Sequence, residues 1–189
     1  MTKFFGNLKA VVSVGILAAL AILYWTNSLD NLPGWMTFLH VISGVMWIGL
    51  LYYFNFVQIP TMPTVPAELK PGVTKYIAPK ALFYFRWAAL ATVITGLLVA
   101  ILKGYAHEAF TLQEGSRLIG IGMYLALIMA INVWFVIWPN QQKALGLVEA
   151  APEVKAKSAV TAMVFSRINT LLSIPMLCAM VLQNLGGAL

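Results

Sequence analysis

The chain has 189 residues, 61% of them hydrophobic and only 10% charged. That excludes a soluble globular domain, which needs far more charge to cover its surface. The formal charge of +6 is no nucleic-acid signal either: lysines and arginines fall mostly between hydrophobic stretches, as membrane topology requires, so the expected partner is a lipid bilayer.

The predicted elements form one all-α domain over 1–189, an integral membrane bundle of five transmembrane helices. The first spans about 10–25 behind Lys3 and Lys9. A cleaved signal would end in small residues, and this run ends in Tyr24 and Trp25, so it is expected to be retained. The second spans about 35–59, stopped by Pro60, Pro63 and Pro66, which leave an extended connector. The third spans about 81–102, starting behind Pro79. The fourth spans about 118–138 and is cut off by Pro139. The fifth spans about 152–185, starting in water at Pro152 and Glu153, with Pro175 as an expected kink. Each crossing has roughly the 20 residues that a 30 Å hydrocarbon layer demands.

Orientation follows from basic residues. One side collects Lys3, Lys9, Lys70, Lys75, Lys80, Lys143, Lys155 and Lys157, the other only Lys103 and Arg117. The positive-inside rule then predicts a cytoplasmic N-terminus and an external C-terminus.

At 100° per residue, His40, Gly44, Trp47, Leu51 and Asn55 share one stripe of the second helix. Imidazole can ligate haem iron, and a glycine one turn away admits a flat macrocycle, so His40, Gly44 and Trp47 form a candidate b-type haem site with His40 as the metal ligand. The alternative is a buried histidine hydrogen-bonded to a neighbouring helix, with Gly44 allowing close packing. A second axial ligand would be Met123 or Met129 of the fourth helix, or His107 if its connector folds inward; His107 is otherwise a solvated loop residue. Arg117 is the candidate propionate partner or, equally, an interface anchor. Arg86 and Arg167 are expected near the opposite boundary, roughly 20 Å from His40, snorkelling to lipid phosphates.

Ala88, Thr92, Gly96 and Ala100 recur every four residues on the third helix and are expected to let another helix approach closely. Asn132 and Asn169 are expected to hydrogen-bond between helices, and Trp25, Trp35, Trp87 and Trp138 fit an interfacial aromatic belt. The single cysteine, Cys178, excludes an internal disulfide, a thiol zinc cluster and a CxxCH haem-attachment motif. The six acids all lie in connectors, which argues against an intramembrane acid–base pair.

Two segments carry a family resemblance. LHVISGVMWIGLLYYFNFVQIPTM at 39–62 resembles the membrane domain at the N-terminus of bacterial membrane-bound urate oxidases, and NVWFVIWPNQQK at 132–143 is similar to a second hallmark of that domain. The resemblance extends over roughly 35–185 and implies several crossings, with electrons leaving through a cytochrome c domain absent from this sequence. Three functions follow as expectations. One is a redox-type membrane subunit that holds a b-type haem or a quinone-like carrier near His40 and passes electrons to a cytochrome c. The others are a cofactor-free accessory subunit of a larger membrane complex, and a urate-oxidising enzyme using an external acceptor.

Overall fold

The computed structural model describes residues 1–186, and no strand is present among the described residues. After a helical turn at Thr2–Phe5, five helices are long and apolar enough to cross a membrane: α1 Leu8–Trp25, α2 Leu32–Thr61, α3 Lys70–Leu102, α5 Arg117–Ala144 and α6 Pro152–Asn184. A short helix, α4 Ala106–Phe110, lies in the connector before α5. The number of spans and their order follow the sequence expectation, as do the end of α1 at Trp25, the end of α3 at Leu102 and both ends of α6; the start of α3 and the end of α5 do not.

The differences trace to proline. Pro60 and Pro139 were expected to stop their helices and Pro79 to precede one, yet α2, α3 and α5 run through all three. Proline in a helix clashes with the carbonyl four residues back and donates no hydrogen bond. Here each proline is preceded by a stretch of wider π-helix: Tyr53–Gln58, Val73–Ile77 and Asn132–Ile137. The amide just before each proline reaches back five residues, Ile59 to Phe54, Ala78 to Val73 and Trp138 to Val133. The wider turn accommodates the ring and lets the helix continue. As a result α3 starts at Lys70 and α5 reaches Ala144.

α2 packs along α3, and α5 along α6. α1 stands apart: none of its residues is buried. The two pairs meet in a core of Trp47, Leu51, Phe54, Leu82, Phe85, Ala88, Ala89, Met129, Val133, Ile137 and Met176. Trp47, Phe85, Leu51 and Met129 are almost fully enclosed. Polar side chains stitch the pairs together beside this core. Tyr52 Oη and Ser173 Oγ lie 3.0 Å apart, Asn55 Nδ2 donates to Ser166 Oγ at 2.8 Å, and Trp134 Nε1 donates to the Arg86 carbonyl at 3.1 Å. Within the second pair, Asn132 Nδ2 donates to Asn169 Oδ1, and Asn169 Nδ2 to the Met129 carbonyl. Each such bond pairs a polar group that would otherwise face hydrocarbon, although Asn55 Oδ1 itself stays without a partner.

The Arg86 guanidinium lies 3.7 Å from the centre of the Trp138 ring, with Phe83 on another side. Stacking on an aromatic face suits a delocalised, weakly hydrated cation. Trp138 therefore serves as a platform for Arg86.

Candidate functional site

At the other end of the bundle the pairs diverge. Gly104 ends α3 with φ of 79°, a left-handed turn suited to glycine, and Tyr105 N–H reaches back to the Ala100 carbonyl. The connector then folds over the start of α5. Ala109 O packs where a side chain on Gly120 would sit, and Tyr124 Oη donates to the Phe110 carbonyl at 2.7 Å. Gln183, near the end of α6, accepts from Ile119 N–H at 3.1 Å and donates to the Gly115 carbonyl at 2.9 Å. It thereby satisfies one of the first-turn amides of α5 that has no partner within its own helix.

Between the pairs lies a cavity of about 760 Å³, within the range of small-molecule and cofactor sites. His40, Gly44 and Trp47 of α2 line it together with the adjacent Thr92 and Gly96 of α3, and Met123 of α5 with Met176 and Leu177 of α6 line the other side. His40 Nδ1 lies 2.9 Å from the Thr92 carbonyl. A carbonyl only accepts, so Nδ1 carries the proton and donates, which leaves the Nε2 lone pair of the neutral ring free. The ring rests against Gly96, where an added Cβ would come within 2.8 Å of His40 Cε1 and 3.0 Å of Nδ1. The small-residue ladder of α3 thus does more than bring two helices close. Thr92 supplies the carbonyl that orients the imidazole, Gly96 supplies its seat, and Ala88 and Ala100 are buried in the packing.

The other candidates separate clearly. Met123 of α5 lines the cavity, whereas Met129 is enclosed in the core and does not. His107 is exposed on α4. Arg117 is exposed and donates from Nε to the Leu112 carbonyl at 3.3 Å; it is not on the cavity wall. Lys103, overlooked in the sequence, occupies the rim instead, with Tyr105, Ser116, Gln183 and Asn184. Burial pushes the Tyr105 phenol above its ordinary pKa, so it stays neutral there. The signal for Lys103 was available: it is the lysine that directly ends the third apolar run.

The donor set bears on what the cavity can hold. Among the described residues no cluster of three His, Cys, Asp or Glu could bind a bare ion. A metal at His40 would have to bring its own ligands, as haem iron does. A free imidazole nitrogen whose partner nitrogen is fixed by a carbonyl is the usual form of a metal-binding histidine. An apolar chamber with one lysine at its rim also matches a macrocycle carrying carboxylates at one edge. The residues present therefore fit a b-type haem.

Fold and site together define an integral-membrane helical bundle with a cofactor-sized cavity between its helix pairs. Residues 105–186 match the family described as urate oxidase N-terminal. The matched segment supplies α4, α5 and α6, hence one wall of the cavity and the second of the two sequence hallmarks; His40 and the α2 hallmark lie outside it. No curated protein and no solved structure matches the chain.

Proposed function

We propose that the chain is a redox-type subunit of a bacterial inner membrane. It holds a b-type haem through His40 and passes electrons to a cytochrome c, with its N-terminus in the cytoplasm. The observation that carries this reading is the His40 imidazole: Nδ1 is committed to Thr92 O and Nε2 is free at the wall of a 760 Å³ cavity. Lys103 at the rim would neutralise a propionate, and Met123, on the wall of the same cavity, would be a candidate second ligand. When bound, haem supplies one-electron transfer; the chain's own residues orient the imidazole, exclude water from the chamber and neutralise an acidic edge.

A pyridine haemochrome spectrum of the purified chain tests the reading. The expected result is a b-type spectrum that His40→Ala abolishes while the melting temperature stays within a few degrees. A colourless protein from haem-replete cells, or an unchanged spectrum in the variant, would overturn it.

Two observations favour other readings. The unburied α1 supports an accessory subunit that packs on a larger complex, which predicts co-purifying membrane subunits lost on deletion of residues 1–25. The family match over 105–186 supports urate oxidation with an external acceptor, which predicts urate consumption by enriched membranes.

A further inference from the structure

Met123 is not alone on the cavity wall: Met176 and Met180 of α6 line it too. Met176 is 5% exposed and belongs to the core. Met180 is half-buried, and its thioether has a seat. A Cβ on Gly122 of α5 would come within 3.0 Å of Met180 Cε and 3.3 Å of Sδ. Methionine is long and flexible, so a thioether lodged in a glycine notch is held where an unseated one would wander.

This seat repeats the one under His40. His40 of α2 rests on Gly96 of α3, and Met180 of α6 rests on Gly122 of α5. α2 touches α6 and α3 touches α5, so the α2–α3 and α5–α6 seams face each other across the cavity. The imidazole approaches from one seam and the thioether from the other. Met123 does not share that position. It is one turn from Leu127, which lines a second hollow together with Leu90 and Val93 of α3, so it sits on the flank of α5 turned towards α3.

Depth agrees. His40 lies about two turns from the cavity end of α2 and Met180 about one turn from that of α6, an offset of about 5 Å. Side chains lean towards the N-terminus of their own helix. α2 runs away from the cavity mouth and α6 runs towards it, so the ring and the thioether lean towards a common level.

We infer that Met180 is the second axial ligand of the haem at His40, held by Gly122 as the imidazole is held by Gly96. The inference rests on the redox reading of this cavity. A thioether is neutral, so it adds a donor with no charge to compensate at membrane depth. Histidine–methionine ligation raises the potential of a haem. Filling both axial positions also suits a site that only passes electrons.

The test is the optical spectrum of the purified, haem-loaded chain, oxidised and then reduced under carbon monoxide, with haem content measured on the same samples. Thioether ligation gives ferric haem a weak charge-transfer band at the red edge of the visible, which the wild type should show. Met180→Leu nearly conserves volume. It should keep its haem, lose the band, gain carbon monoxide binding and shift to a lower midpoint potential. Gly122→Ala crowds the seat and should weaken the band at unchanged haem content. Met123→Leu should behave as the wild type. A full band in Met180→Leu or in Gly122→Ala, its loss in Met123→Leu, or its absence from the wild type overturns the inference and leaves the haem reading standing. A wild-type chain that takes up no haem overturns both.

Discussion

The two halves of the bundle draw on the same residue types and are held together differently. In the half around Phe85 the helix pairs interlock, with Tyr52–Ser173, Asn55–Ser166 and Trp134–Arg86 crossing from one pair to the other. In the half around His40, hydrogen bonds between side chains and neighbouring helices stay within a pair: His40 to Thr92 joins α2 to α3, and Gln183 joins α6 to the start of α5. Among the described residues no side-chain bond crosses between the pairs there, and that is where the cavity lies. Sutures across the seam close one half, and their absence leaves room in the other.

This contrast can be broken from its strong side first. Phe85 is 1% exposed and meets Phe54 edge-on at 5.6 Å. Phe85→Ala should destabilise the bundle by about 3–5 kcal/mol, the usual cost of emptying an aromatic site, seen as a large drop in melting temperature in detergent. A shift of only a degree or two would mean that this core does not hold the pairs together. Gln183→Leu should cost about 1–2 kcal/mol, because it leaves the Ile119 amide and the Gly115 carbonyl without their partner. Hydrogen exchange should rise at the start of α5 and not around Phe85; equal change in both halves would mean that they are not independent. Gly96→Ala should cost about 1 kcal/mol or less in stability, since the imidazole can swing into the cavity. It should nevertheless displace His40 from Thr92, which the His40 ring NMR signals would report, and unmoved signals would mean that the seat is looser than the 2.8 Å contact implies. The smallest effect belongs to α1. Leu17 is 62% exposed with no burial anywhere on its helix, so Leu17→Ala should change bundle stability by less than about 0.5 kcal/mol. A larger loss would place α1 in contact with the bundle.

Much of this was readable in the sequence, because lipid permits so few solutions. Apolar runs of adequate length have to be helices, and the 3.6-residue spacing put His40, Gly44 and Trp47 on one face before any coordinates. The residues that were missed depend on neighbours distant in sequence. Gly96 read as packing because nothing local says that an imidazole 56 positions earlier rests on it. Lys103, Tyr105 and Gln183 lie at helix ends, where sequence shows polarity but not direction. The stacking of Arg86 on Trp138 was not legible because the two come together only through the pairing of α3 with α5. The start of α3 and the ends of α2 and α5 differ because proline has its local meaning in the sequence, and the π-helical stretches before Pro60, Pro79 and Pro139 annul it.

Those stretches also bear on how this chain should be compared with others. Each acts as a one-residue insertion that adds almost no length, so every side chain beyond it is turned by about 100° from where straight counting would put it. A homologue lacking Pro60 would have no use for the extra residue and could lose it without shortening the span. An alignment made without gaps would then pair lipid-facing positions of one protein with interior positions of the other. Three single-residue deletions, one ahead of each proline, are the places where such an alignment should first be allowed to open.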